Sequence, residues 1–123
     1  MAAIGRHLLL ELRDCNRIKL DDLDFLRETL LAAASEVGAT VIDDIFHRFS
    51  PQGVTGVVAI AESHLCIHTW PEYGYAAMDV FTCGEGFNPM DACQLLIERL
   101  ESCNSEVTEV LRGVDIPTPV PQD

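Results

Sequence analysis

The chain has 123 residues, of which 48% are hydrophobic and 23% charged, and its formal net charge at pH 7 is −12. This length fits one domain with a buried core, and the apolar fraction excludes an intrinsically disordered chain. No cluster of Lys and Arg offsets the negative charge, so the composition argues against nucleic acid as a partner.

The N-terminal third of the chain predicts a strand followed by a helix. Residues 5–13 alternate loosely between apolar and polar and end before an Asp-Cys-Asn turn, which is typical of a strand. From residue 21 onward apolar residues recur at three- and four-residue spacing. Asp21 and Asp22 stand where the helix dipole favours acids, and Gly38 is suited to end the helix. We expect one amphipathic helix over 21–37.

The middle of the chain predicts four consecutive strands. Residues 39–50 and 54–62 are rich in β-branched and aromatic side chains and flank a Pro-Gln-Gly turn, which is typical of a hairpin. The stretch AESHLCIHTWPE, residues 61–72, also alternates like a strand. After a turn at 71–74, residues 75–84 form the fourth strand, which Gly84 and Gly86 would end.

The C-terminal part predicts a second helix, a last strand and a loose tail. Asn88 is suited to cap a helix that has Pro89 at its first position. Residues 106–113 have the pattern of a strand, and the proline-rich residues 114–123 lack periodicity.

The order β-α-β-β-β-β-α-β predicts an α+β fold. We expect a two-layer α/β sandwich in which both helices cover one face of a mainly antiparallel sheet. The other face of the sheet then needs a cover, which a second copy of the chain could provide.

Cysteine usage and the first residues of the chain bear on where the protein works. The five cysteines are odd in number and form no Cys-x-x-Cys pair, which argues against a disulfide framework and a zinc ribbon. The opening MAAIGRHLLLELRDC has an apolar run that Glu11 closes too early for a signal peptide or a membrane span. We expect a cytoplasmic protein without a membrane partner.

A metal site is the first interpretation of the reactive stretch 61–72. His64, Cys66 and His68 would share one face of a strand, and Cys83 or Asp79 could complete a zinc shell. However, ligands two residues apart on a strand are separated by about 6.6 Å, which is too wide for one ion unless the strand kinks. We therefore expect no metal.

The second and third interpretations both use Ser63 as a nucleophile. A Ser-His-acid hydrolase is disfavoured because no Gly-x-Ser-x-Gly elbow surrounds this serine. Alternatively, the Ser63 hydroxyl attacks the carbonyl of Glu62, so that the amide becomes an ester. Loss of the serine α-proton then eliminates the upstream chain and leaves dehydroalanine, which hydrolyses to a pyruvoyl group. This route requires a turned or strained backbone, a donor for the oxyanion and a base. His68 could be the base, and Thr55 could donate from the neighbouring strand.

Three segments together form a specific signature: GRHLLLEL, FHRFSPQGVTGVVAI and AESHLCIHTWPEYGYAAMDVFTCG. They resemble the short bacterial and archaeal class of S-adenosylmethionine decarboxylase, a self-processing enzyme of spermidine biosynthesis. The resemblance covers about residues 4 to 113 and implies one domain over 1–113. It also implies cleavage between Glu62 and Ser63 into a β chain (1–62) and an α chain (63–123).

The resemblance implies a cofactor made from the chain itself and roles for three catalytic residues. Ser63 becomes a covalently bound pyruvoyl group, which forms a Schiff base with S-adenosylmethionine and accepts electrons as CO₂ leaves. His68 transfers a proton during self-processing, with the hydroxyl at Thr55 nearby. Cys83 returns a proton to the decarboxylated α-carbon.

The resemblance also implies a binding site at the interface of a homodimer of αβ protomers. Phe49 stacks on the adenine, Leu65 contacts the adenine through its backbone, and Glu72 accepts hydrogen bonds from the ribose hydroxyls. One protomer supplies Phe49 and Thr55 to the pyruvoyl group of the other.

Some features depart from the family pattern or leave alternatives. Thr55 stands where we expect Ser, and Cys66 stands where a small hydroxyl residue is usual. A strict strand would put Ser63 and His68 on opposite faces, so we expect a bend or break at Ser63. The alternative functions are decarboxylation of arginine or ornithine on a related scaffold and a paralogue that does not process itself.

Overall fold

A six-stranded antiparallel sheet carries two helices on one face in the computed structural model, which describes residues 3–83 and 88–117. The strand order across the sheet is β2-β3-β4-β5-β1-β6. This architecture confirms the predicted α+β fold and the predicted order of elements. The elements are β1 (Gly5–Arg13), α1 (Leu23–Glu36), β2 (Val41–Arg48), β3 (Val54–Ile60), β4 (Ser63–Trp70), β5 (Tyr75–Cys83), α2 (Pro89–Arg99) and β6 (Asn104–Arg112).

Both helices begin at a residue whose side chain caps the first turn. The Asp22 carboxylate accepts a hydrogen bond from the Phe25 N–H, and the Asn88 side chain accepts one from the Met90 N–H. The cap at Asn88 confirms that prediction. The first helix starts later than predicted, because Asp21 ends a short 3₁₀ turn and its carboxylate binds the β2–β3 hairpin instead.

The core lies between the helices and one face of the sheet. Alternate residues of each central strand are buried there, as period-two patterning requires. Each buried leucine contributes roughly 2 kcal/mol of hydrophobic stabilisation. Among the most deeply buried are Leu8, Leu10, Leu12, Leu26, Leu30, Leu65, Ile67, Leu96 and Leu100.

The opposite face of the sheet, the open face, is not covered by any described part of the chain. Leu9, Ile45, Trp70 and Val110 lie on this face, and each is between 39% and 71% exposed. Cross-strand pairing also places five polar side chains of β3, β4 and β5 on the open face: Thr55, His64, Cys66, His68 and Asp79. One face of the sheet therefore packs in the apolar core, and the other face exposes most of the candidate site residues.

Element ends differ from the predictions by a few residues. The strand predicted over 54–62 ends at Ile60, because a tight turn follows, and the last strand begins at Asn104 rather than 106. The predicted strand end at Gly84 and Gly86 and the tail residues 118–123 lie outside the described residues. No helix in the described part of the chain is long and apolar enough to cross a membrane.

Candidate active site

The backbone at Ser63 is strained. β3 and β4 are joined by a two-residue turn, Ala61-Glu62, so that Ile60 pairs with Ser63. Ser63 has φ +148°, a conformation that favours glycine, and such outliers cost about 1–3 kcal/mol. The predicted departure from regular strand geometry at Ser63 takes the form of this φ value, while the pairing of β4 with β5 continues without a register shift from Ser63 to Trp70.

The carbonyl of the Glu62–Ser63 peptide bond is held by a backbone donor. The Glu62 oxygen accepts a 2.8 Å hydrogen bond from the N–H of Cys83 at the end of β5. From the other side, Thr40 fixes the turn: its N–H donates to Glu62 Oε1 at 3.1 Å, and its carbonyl accepts from the Ala61 N–H at 2.8 Å. The Cys83 N–H is thus placed to stabilise negative charge that develops on this oxygen. We call Glu62, Ser63 and Cys83 the Ser63 cluster.

A hydrogen-bonded network on the open face reaches the Ser63 hydroxyl. Asp79 Oδ2 lies 2.7 Å from His64 Nε2 and 2.9 Å from His7 Nε2. Arg112 Nη1 donates to His7 Nδ1 at 3.0 Å, and His64 Nδ1 lies 3.4 Å from Ser63 Oγ. We call His7, His64, Asp79 and Arg112 the Asp79 network. Sequence reasoning missed it, because the contacts of His7 with Asp79 and with Arg112 follow only once the strand order is known.

The network is arranged for hydrogen bonding rather than for a metal ion. Ligand atoms of His7, His64 and Asp79 lie within 4.8 Å of one another, which is close enough for a three-ligand site. However, both Nε2 atoms point at a carboxylate that can only accept, so both carry a proton. The Arg112 guanidinium adds positive charge beside them, which disfavours a cation.

The zinc ligand set that was weighed and rejected from the sequence is not assembled. His64, Cys66 and His68 do share the open face of β4, but His64 and His68 are about 13 Å apart along the strand. Burial, followed by the negative charge of Asp79, raises the pKa of the Cys66 thiol to about 11. Cys66 is therefore a neutral thiol near pH 7 rather than a thiolate ligand.

The remaining predicted site residues gather at the far end of β4. Thr55 Oγ1 lies 3.0 Å from His68 Nδ1, so the threonine hydroxyl and the imidazole form a hydrogen-bonded pair. Phe49, Thr55, His68 and Glu72 line a cleft of about 330 Å³, together with Trp70. This volume is at the lower end of the range for small-molecule sites. We call Phe49, Thr55, His68 and Glu72 the His68 cluster. A larger groove of about 780 Å³ adjoins the cleft and shares Gln52 and Glu72 with it.

The two clusters are not in contact within one chain. Ser63 and His68 are five residues apart on β4, which corresponds to about 16 Å along the strand. Leu65 lies between the clusters with its side chain in the core, so its backbone is what remains for a ligand. A single chain therefore provides a strained serine and a hydrogen-bonded carbonyl at one end of β4, and a hydroxyl–imidazole pair with a cleft at the other.

The chain is similar to proteins of one family in sequence and in structure. The model of the S-adenosylmethionine decarboxylase family matches residues 6–113. The S-adenosylmethionine decarboxylase proenzymes of Moorella thermoacetica and Acetivibrio thermocellus are each 54% identical over 114 residues. These alignments cover 93% of this chain and 91% and 92% of the relatives. The crystal structure of the adenosylmethionine decarboxylase from Aquifex aeolicus superposes with a TM-score of 0.89 at 34% identity, covering 99% of this chain and 100% of that one.

Proposed function

The chain belongs to the S-adenosylmethionine decarboxylase family, and from this premise we propose that it is a proenzyme that cuts itself and then decarboxylates S-adenosylmethionine. The cut falls between Glu62 and Ser63 and gives a β chain of 1–62 and an α chain of 63–123. One observation carries the proposal: a strained serine follows a carbonyl that already accepts a hydrogen bond from the Cys83 N–H.

The strain at Ser63 and the donor at Cys83 both favour attack of the hydroxyl on the Glu62 carbonyl. Attack places negative charge on the oxygen that the Cys83 N–H already contacts, and one such donor is worth roughly 10²–10³ in rate. Opening the peptide bond relieves the unfavourable φ of Ser63. The same serine in an ordinary extended conformation would lack the strain.

The residues around Ser63 fit a covalently bound pyruvoyl cofactor. When formed from Ser63, this group supplies an electron-withdrawing carbonyl that takes up the electrons released as the carboxylate leaves. Ser63 begins β4 at the edge of the open face, where substrate can approach. The thiol of Cys83, on the neighbouring strand, can hold the proton that the α-carbon of the product needs.

A second copy of the chain completes the site in our proposal. The open face is bare. The His68 cluster lies on it at one end of β4, and the Ser63 cluster lies at the other end, where Cys83 is on the open face by register. In this arrangement a two-fold axis lies in the plane of the interface and crosses β4 at a right angle near its middle. The open faces of the two copies then stack, with their β4 strands running in opposite directions. Each Ser63 cluster then faces the partner's His68 cluster. The exposed Leu9, Ile45 and Val110 become buried in the same step.

The His68 cluster suits a nucleoside with a positive charge. Phe49 offers an aromatic face that is 47% exposed, and Glu72 offers a carboxylate to a vicinal diol. A net charge of −12 favours a cationic sulfonium over an anionic substrate. Neither Phe49 nor Glu72 would be needed for arginine or ornithine. We expect the enzyme to work in the cytoplasm, in keeping with its five free cysteines.

The test compares three substrates. Purified protein is given S-adenosylmethionine, arginine or ornithine, each labelled at the carboxylate, and released CO₂ is measured. We expect release from S-adenosylmethionine only, and none from the Ser63→Ala variant. Preferential release from arginine or ornithine would reject the substrate, and the absence of release from all three would favour a paralogue that does not process itself.

A further inference from the structure

We infer that His64 is the catalytic base for the first step of self-cleavage, in which it accepts the Ser63 hydroxyl proton, and that Asp79 positions it. The inference rests on the proposed self-cleavage and adds a residue for a step that His68 cannot reach within one chain. His68 is left to the second step, removal of the serine α-proton, once a partner brings it close.

The hydrogen bonds of His64 define which nitrogen can act as a base. Its Nε2 lies 2.7 Å from Asp79 Oδ2, and a carboxylate can only accept, so Nε2 carries a proton. In the neutral ring Nδ1 is then unprotonated and can only accept. Its neighbour at 3.4 Å is Ser63 Oγ, which must donate. The order Ser63, His64, Asp79 is that of a hydroxyl, an imidazole and an orienting carboxylate.

The strained backbone makes this contact possible. Side chains of consecutive strand residues point to opposite faces, so Ser63 and His64 should diverge. By register, Ser63 pairs with Ile60 and Thr82, which are both buried on the helix-facing side. The φ of +148° turns the serine hydroxyl toward the imidazole of the next residue. One distortion therefore strains the scissile bond and brings its nucleophile to a base.

The step balances without any added reagent. Ser63 Oγ transfers its proton to His64 Nδ1 and forms a bond to the Glu62 carbonyl carbon, with negative charge on the oxygen held by the Cys83 N–H. The imidazolium is stabilised by Asp79. It then returns the proton to the Ser63 nitrogen as the carbon–nitrogen bond breaks. The product is an ester with a free amine, and the net change is one proton moved from oxygen to nitrogen.

The surroundings of His64 hold the Asp79 carboxylate and the His64 ring in place. Asp79 also accepts from His7 on β1, and Arg112 on β6 donates to the other nitrogen of that ring. The Phe81 ring contacts His64 edge-on with centroids 5.7 Å apart. Cys66 on β4 is a neutral thiol because burial and Asp79 raise its pKa to about 11. Thus the positive charge of Arg112 offsets the negative charge of Asp79, to which it is connected through His7. These contacts leave the His64 imidazole little freedom to rotate.

Hydroxylamine separates the two steps, because it cleaves an ester and leaves a peptide bond intact. Full-length chain is synthesised in a cell-free system, and the ester is followed over time as hydroxylamine-dependent cleavage at residue 62. In His64→Ala we expect ester formation to fall by roughly 10²-fold. In His68→Ala we expect the ester to form and accumulate. His47→Ala, an exposed imidazole on β2, is the matched control and should behave as the parent.

A second readout separates a chemical role of His64 from a structural one. Free imidazole should raise the rate of ester formation in His64→Ala, whose side chain is partly exposed, and leave His47→Ala unchanged. Asp79→Asn should slow ester formation less than His64→Ala does, since the imidazole stays. Ester formation at the parental rate in His64→Ala, or a slow rate that imidazole does not raise, would overturn the inference. A parent chain that forms neither ester nor cleaved product would overturn the proposed function instead.

Discussion

The carbonyl oxygen of Glu62 accepts a 2.8 Å hydrogen bond from the backbone N–H of Cys83. Because of this contact, the backbone and the side chain of Cys83 can have separate roles. In the proposed mechanism, the N–H supports attack on the Glu62 carbonyl during self-cleavage, and the thiol serves in the decarboxylation that follows. Variants of the side chain should separate the two stages.

Replacement of Cys83 by Ala should leave self-cleavage largely intact, because the backbone donor is retained. Turnover should fall by roughly 10²-fold, since the product α-carbon loses its proton donor. Mass spectrometry of the purified chain and CO₂ release from S-adenosylmethionine measure the two stages. Cys103→Ala removes an exposed thiol elsewhere and should change neither stage. An uncut Cys83→Ala chain would show that the thiol is needed for cleavage.

Phe49 should contribute to substrate binding more than to chemistry. Its ring is exposed at the edge of the cleft and stacks edge-on with His47, with centroids 4.6 Å apart. Phe49→Ala should raise KM by roughly 5- to 10-fold with a smaller change in kcat, as loss of one aromatic contact implies. Phe49→Tyr keeps the ring and should keep KM. Equal KM values for Phe49→Ala and the parent would remove Phe49 from the binding site.

Asp21 should stabilise the β2–β3 hairpin in a pH-dependent way. The Gly53 N–H, at 2.9 Å, and then Arg48, at 2.6 Å, hold the pKa of this carboxyl below its ordinary value of 3.8. A lowered pKa means that the stabilisation is complete above the ordinary value and is lost as the pH falls through the folded value. Asp21→Asn should therefore melt below the parent at neutral pH.

The difference in melting temperature between Asp21→Asn and the parent should shrink in acid, at pH values below the ordinary carboxyl pKa of 3.8, as the parental carboxyl is protonated. Thermal unfolding at both pH values is the measurement. Asp24→Asn, an exposed position in the first turn of α1, serves as the matched control. A difference between Asp21→Asn and the parent that stays constant into acid would show that the charge of Asp21 is not what holds the hairpin.

Two inactive variants should restore each other if the site is shared between copies. Ser63→Ala lacks the nucleophile and His68→Ala lacks the imidazole of the second step, so neither is cleaved alone. In a mixed dimer, the intact Ser63 of one chain faces the intact His68 of the other. Coexpression should yield cleaved His68→Ala chains and uncut Ser63→Ala chains. A site within one chain would leave both variants uncut.

The sequence predicted well those features that depend on neighbouring residues. The cap at Asn88 and the departure from regular strand geometry at Ser63 follow from local propensity and from the chemistry of the stretch itself. Asp21 could not be placed, because its partner Gly53 lies 32 residues away and diverted it from the helix. The hydrogen bond that determines the position of Asp21 joins residues distant in sequence, which local patterns do not reveal.

The Asp79 network could not be predicted from the sequence either, because its members are far apart along the chain. His7 and Asp79 are 72 residues apart, and His7 and Arg112 are 105 apart. They meet because β1 lies between β5 and β6, which periodicity cannot reveal. In contrast, the separation of Ser63 from His68 could have been obtained from the sequence, since five residues of strand span about 16 Å.

The central claim is that the chain converts one of its own peptide bonds into its cofactor. A denaturing mass spectrum of the purified protein tests it most directly. We expect two pieces, one ending at Glu62 and one starting at position 63, the second lighter by one ammonia than a serine-initiated chain and without a free terminal amine. A single uncut polypeptide, or a second piece that begins with unmodified serine, would contradict it.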